Sequence, residues 1–108
     1  MKIVAIGSRT MTIAMKLMGI SRAVEVYDVD DVDASMVRSI LRSFLSDEDV
    51  GLIIITETCA DVIRQDLDRL RAEKRVMPAV LEIPDERGPG VDRIQRIIRR
   101  AVGIEVKR

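Results

Sequence analysis

Four short apolar runs, each followed by a stretch of helical spacing, set the pattern of this chain. KIVAI (2–6), AVEVY (23–27), LIIIT (52–56) and AVLEI (79–83) have the length and β-branched content of strands. The first and third are continuously apolar, as strands covered on both faces are. The second and fourth carry Glu25 and Glu82, which places them at the edges. Between the runs the period changes. Met36, Val37, Ile40, Leu41, Phe44 and Leu45 recur every three or four residues and form one broad stripe. Ala60, Ile63, Leu67 and Leu70 form another, with Asp61, Gln65, Asp68 and Arg69 facing away and Val62 outside the stripe. A first helix is expected from about Thr10 to Met18, ended by Gly19. A last one carries Ile94, Ile97, Ile98, Ala101 and Val102 and stops at Gly103.

The resulting order, β-α-β-α-β-α-β-α with short connections, predicts a parallel sheet with right-handed crossovers. The expected fold class is α/β, a small flavodoxin-like open parallel four-stranded sheet of order 2-1-3-4 with a C-terminal helix. IPDERGPGV, Ile83 to Val91, is the one loop rich in Pro and Gly. It divides the expectation into an α/β sheet domain over 1–84 and a hinge loop with C-terminal helix over 85–108, packed on that domain or protruding from it.

Composition narrows the chemistry. The chain has 108 residues, 47% hydrophobic and 33% charged, which fits one globular domain. Tyr27 and Phe44 are the only aromatics, so the core is aliphatic, with six methionines as filler. Formal charge is zero, and with so few stacking aromatics no nucleic-acid partner is expected. The absence of histidine removes the commonest general base and metal ligand. Cys59, the sole cysteine, excludes an internal disulfide and points to a reducing, cytoplasmic setting. No run approaches the ~20 apolar residues of a membrane span.

In open α/β sheets the ligand crevice lies at the carboxyl ends of strands flanking the reversal of strand order. Here that means Gly7-Ser8-Arg9-Thr10 and Thr56-Glu57-Thr58-Cys59. Gly7 is not followed by the further glycines of a dinucleotide loop, and no Gly-Lys-Ser/Thr closes a P-loop. Ser8, Arg9 and Thr10 suit anion binding less than a plain helix cap. A phospho-acceptor receiver needs an aspartate ending the third strand, where Thr56 stands. DVDDVD, Asp28 to Asp33, lacks the oxygen ligand, glycine and distal glutamate of a calcium loop. Val32, Asp33 and Ser39 occupy those places, so it reads as a turn with Asp33 capping the second helix. Cys59 has no histidine to act as its base and reads as inert. Thr58-Cys59-Ala60-Asp61 matches a capping box, and Thr56 is an alternative cap. No catalytic residue, metal site or cofactor is expected.

The C-terminal stretch differs. Arg93, Arg96, Arg99 and Arg100 crowd it, and between Val91 and Arg108 only Asp92 and Glu105 oppose them. A basic amphipathic helix behind a Pro/Gly loop is either a solvated face or a docking element for an acidic partner.

The ordered set MKIVAIG…MKLMGI, GLIIITETCADVIRQDLDRL, MPAVLEIPDERGPG and RIIRRAVGIEVKR resembles the F subunit of the A/V-type ATP synthases (V-type ATPases) over nearly the whole chain. Ile55-Thr56-Glu57, Leu81-Glu82-Ile83-Pro84 and Val102-Gly103-Ile104 carry most of the resemblance. It implies a non-catalytic component of the rotating central stalk, cytoplasmic and peripheral to the membrane. It also implies binding to the coiled-coil D subunit of that stalk and contact of the terminal helix with the nucleotide-binding headpiece. Partner-binding residues are then Arg93, Arg96, Ile97, Arg99 and Arg100. The chain departs from the family at the turn after the first strand. Ser8-Arg9-Thr10 stands where acidic residues are common, and Met15 where an aromatic packs. Taken alone, the residues leave two other readings open: a receiver-like signalling or interaction module without a phospho-acceptor, and a small-anion binder at the Ser8 and Thr56 turns. Exposed aliphatic residues for a partner are expected on the second or third helix or at the edge-strand side.

Overall fold

The computed structural model describes residues 1–27, 32–73, 78–84, 95–96 and 98–100. Positions 28–31 of the acid run, 85–91 of the Pro/Gly loop, and Arg93, Ile94, Ile97, Ala101, Val102 and Gly103 lie outside the described residues. The elements are β1 (Lys2–Ser8), α1 (Arg9–Leu17), β2 (Ala23–Tyr27), α2 (Ala34–Leu45), β3 (Val50–Thr56), α3 (Glu57–Val62), α4 (Arg64–Ala72) and β4 (Ala79–Ile83). All strands are parallel and lie in the order β2-β1-β3-β4, as the alternation predicts. Edge strands β2 and β4 are those that carry Glu25 and Glu82.

Two cores follow from the pleat, because alternate side chains of a strand point to opposite faces. Val4, Ile6, Ile53 and Ile55 face one side, under Val37, Leu41 and Phe44 of α2 and under Cys59, Ala60, Ile63 and Leu67. Ala5, Ile54 and Ile83 face the other, under Met11, Ala14 and Met15 of α1 and under Ile98. Met15 is fully buried in the second core. The α2 stripe is narrower than its spacing suggests: Met36 is 47% exposed, while Val37, Leu41 and Phe44 are buried.

The caps explain the boundaries. Ser8 Oγ accepts from the Met11 N–H at 3.2 Å and opens α1. Asp33 Oδ1 accepts from the Ser35 N–H at 2.9 Å and opens α2, as expected. Gly19 ends the first helix at φ +91°, a left-handed conformation that glycine adopts without strain.

The helix after β3 departs from expectation twice. It begins at Glu57 with Thr56 at the N-cap, so Thr58 stands inside the first turn and is not the cap. The Thr56 hydroxyl makes no cap bond; it accepts instead from the Tyr27 hydroxyl at 3.2 Å. Glu57 puts a carboxylate in that first turn, where the helix dipole favours it. The single predicted helix is also broken at Ile63 (φ −126°, ψ 31°), with neither Gly nor Pro to announce it. What accompanies the break is tertiary. Arg64 reaches Asp61 at 2.7 Å and forks onto Glu82 of β4 at 2.7 and 2.9 Å. The apolar stripe survives, since Ala60, Ile63, Leu67 and Leu70 are all buried.

Two ion-pair clamps hold opposite regions of the sheet. At the amino end of β1, Asp47 accepts from Lys2 at 3.0 Å, from the Asp49 N–H at 3.0 Å and from Arg22 at 2.9 Å. These bonds hold its carboxyl well below the usual carboxylate range. The Arg22 guanidinium also lies 5.4 Å from the centre of the Phe44 ring. On the β4 edge, Glu82 takes the Arg64 fork and a 2.9 Å bond from Arg71. Arg64, then Arg71, depress the Glu82 carboxyl from 4.5 to about 2. A carboxyl depressed on folding stabilises the fold fully above its unfolded value, and that contribution is lost as pH falls toward its folded value. Urea melts should therefore lose stability between pH 4.5 and about 2. Glu82→Gln should make that loss shallower without abolishing it, since Asp47 and Asp66 are also held below their ordinary values. It should cost about 1 kcal/mol or less at pH 7, because the pair is partly solvated.

Candidate functional site

The crevice of this fold lies where β1 and β3 end, and here the chain's own side chains fill it. Thr56 closes β3, is fully buried, and is held by Tyr27 from the end of β2. Gly7 lets these groups meet. A Cβ there would collide with Met11 Cε and stand 2.6 Å from Thr56 Cγ2. The place where a receiver keeps its acceptor carboxylate holds a threonine methyl packed near a methionine. Nearby, Ser8 Oγ is committed to the Met11 N–H, and the Thr12 hydroxyl donates to the Arg9 carbonyl at 2.9 Å. Cys59 is fully buried in the first core. Among the described residues no group of carboxylates and thiols is placed to share a metal ion.

The basic segment near the C-terminus is organised differently. Residues 95, 96 and 98–100 are helical. Ile98 is fully buried among Ala5, Met11, Ala14, Met15, Ile54 and Ile83, which pins this stretch to the α1 side of the sheet. Arg96, Arg99 and Arg100 are exposed, and none meets a carboxylate among the described residues. Of the expected partner-binding residues, the structure thus brings these three together, while Arg93 and Ile97 lie outside the described residues.

The α1 side adds groups that sequence reasoning did not single out. Ile13 is 42% and Leu17 69% exposed, one helical turn apart, with Lys16 exposed beside them. Their i, i+4 spacing is the signal that finds them. Lys16 meets no carboxylate among the described residues, whereas Lys2 and Arg22, also within residues 1–24, are paired with Asp47. On the opposite side the cations are mostly answered: Arg38 by Asp66, Arg64 by Asp61 and Glu82, and Arg71 by Glu82. The expectation of exposed aliphatics on the second or third helix is met by Met36 and Val62.

Comparison with known proteins adds an independent line. A family described as ATP synthase (F/14-kDa) subunit matches residues 3–102. The A-type ATP synthase F subunit of Pyrococcus furiosus is 37% identical over 110 residues, covering all of both chains. The F subunits of Pyrococcus abyssi and Thermococcus sibiricus are 34% and 33% identical, again over the full length of each chain.

The filled crevice is directly testable. Gly7→Ala should lower unfolding stability by about 1–3 kcal/mol, because the new methyl overpacks a site walled by a β-branched side chain. Met11→Ala is itself costly, as a truncation of a fully buried side chain. In that background, however, Gly7→Ala should cost less than in the wild-type chain, a coupling that a double-mutant cycle reads. Equal or greater stability of Gly7→Ala in urea melts would mean that the crevice has room.

Proposed function

The chain belongs to the family of ATP synthase (F/14-kDa) subunits, and from that membership we propose that it serves as a non-catalytic central-stalk component of an A/V-type ATP synthase. In this reading it binds the coiled-coil D subunit of the stalk, on the cytoplasmic side and peripheral to the membrane. It helps couple ATP synthesis or hydrolysis to proton or sodium transport. Residues 1–84 form the rigid body. Residues 85–108 form the regulatory segment, with Arg93, Arg96, Ile97, Arg99 and Arg100 meeting the nucleotide-binding headpiece.

One observation carries the contact part of the proposal: three exposed arginines that meet no carboxylate among the described residues stand on a helical stretch held by the buried Ile98. Such cations break no pair with the described residues when they meet an acidic surface. Anchoring of the stretch reduces the ordering cost of binding. Electrostatic contacts of this kind govern encounter rate and register more than raw affinity, which suits regulation of a turning machine. A four-stranded parallel sheet covered on both faces provides the stiff body that transmission of torque requires. Among the described residues no helix is long and apolar enough to cross a membrane, so attachment to the complex is assigned to protein contacts.

Co-expression with the D subunit should yield a stable pair, and failure to co-purify would sink the stalk assignment. Replacing Arg96, Arg99 and Arg100 together by Glu should leave the melting temperature within a few degrees, because surface changes away from specific contacts are nearly neutral. It should change ATP hydrolysis by the assembled complex. Unaltered turnover would remove the regulatory role from these residues.

A further inference from the structure

The side of the molecule opposite Ile98 carries a feature that the stalk reading does not use. α2 and α4 leave a cleft of about 490 Å³ between them. Leu41 and Leu45 of α2 and Leu70 of α4 give it apolar walls, and Arg38, Arg42 and Arg69 stand along its length. A second hollow of about 680 Å³ shares Arg38, Arg42, Asp66 and Arg69, and continues past the helix break to Val62 and Arg64. The groove thus runs on from the α2–α4 cleft to the end of α3.

Its charges are unevenly matched. Three arginines of the cleft face two acidic residues, Asp66 and Glu73. Asp66 gives one oxygen to Arg38 at 2.8 Å and the other to Arg69 at 3.6 Å. The Arg38 hydrogen bond, aided by the charges of Arg38, Arg69 and Arg42, lowers the Asp66 carboxyl, so that it stays ionised. Arg42 meets no carboxylate among the described residues. Arg69 is 71% exposed and only loosely engaged. Arg38 is therefore spoken for, whereas Arg42 and Arg69 are available to a ligand on either rim of an apolar floor.

We propose that the α2–α4 cleft is a docking groove for an acidic amphipathic helix of a protein partner. The partner's apolar side chains would lie on the half-buried Leu45 and on the edges that the largely buried Leu41 and Leu70 show to the cleft, and its carboxylates would face Arg42 and Arg69. Charge complementarity selects this occupant. A neutral or basic helix would desolvate Arg42 with no described carboxylate to answer it, and Arg69 with only its loose pair to Asp66, which is costly, whereas guanidinium groups suit carboxylates in a fork geometry. Elongated grooves with apolar walls accept helices through residues spaced i, i+3, i+4 and i+7. The choice of a protein over a small acid rests on the stalk reading; the position and sign of the groove do not.

The test uses the full chain, labelled with nitrogen-15, titrated with an amphipathic peptide that carries leucines at i, i+3, i+4 and i+7 and glutamates beside them. Saturable shifts of the amides of Leu41, Arg42, Leu45, Arg69 and Leu70 are expected, weakening with salt. The same peptide with lysines for glutamates should shift none of them. Arg42→Glu with Arg69→Glu should weaken binding about tenfold or more, as loss of central arginines does. The milder Arg42→Ala serves if the double variant unfolds. Shifts confined to Arg96, Arg99 and Arg100, no shifts, or binding indifferent to these variants would overturn the groove. Co-purification with the D subunit separates the two proposals. A wild-type chain that fails to hold that coiled coil, yet seats the acidic peptide in the cleft, refutes the stalk reading and leaves the groove standing. A stable pair with no peptide shifts refutes the groove alone.

Discussion

Burial of β1 and β3 on both faces is the constraint from which the rest of this fold follows. Val4, Ile6, Ile53 and Ile55 require cover on one side, and Ala5 and Ile54 on the other. A parallel sheet meets that demand because each crossover helix lands on a face. The amphipathic stretches supply the cover: α2, α3 and α4 on one side, α1 and the stretch containing Ile98 on the other. The small side chains Ala5 and Ala14 and the adaptable methionines Met11 and Met15 fill the second core, where aromatics are absent.

Charge is distributed in a way that separates holding from contacting. Around α3, α4 and β4, Arg64 and Arg71 converge on Glu82 and tie an exposed edge strand to the helix layer. At the opposite end of the sheet, Asp47 gathers Lys2 and Arg22. Each of these carboxylates serves two cations, which gives a network more rigidity than an isolated surface pair. On the α1 side, by contrast, Lys16, Arg96, Arg99 and Arg100 lack carboxylates among the described residues, and Ile13 and Leu17 of α1 stand exposed. The first arrangement stabilises a body; the second suits association.

The crevice at the strand ends, which in this architecture normally receives a ligand, is used instead as packing space. Gly7, Met11 and Thr56 interlock there, and Tyr27 bonds across β1 to Thr56 from the edge strand β2. This filling moves the search for function to the outer faces of the helices. It also explains why tests for dinucleotide, P-loop and receiver chemistry fail at the level of residue type: those residues serve the core.

The linear sequence was sufficient for strand order, for the central position of the continuously apolar strands, for the Asp33 cap and for the family resemblance, because each rests on local periodicity or on ordered short motifs. Thr56 in place of an aspartate was legible in the same way. The break at Ile63 was not, since no Gly or Pro marks it and the Glu82 that holds the adjoining Arg64 lies on β4, 18 positions away. Thr58 is not the cap because the helix starts earlier, at Glu57 with Thr56 at the N-cap, and the Thr56 hydroxyl answers to Tyr27, 29 positions away, in place of a cap bond. The meeting of Gly7 with Met11 and Thr56, the α2–α4 cleft, and the lack of described carboxylates around Arg96, Arg99 and Arg100 are likewise relations between distant segments. Hydrophobic period and capping act within a few residues and decide which elements form. Ion pairs, overpacking and open grooves depend on which elements become neighbours, and only the folded chain determines that.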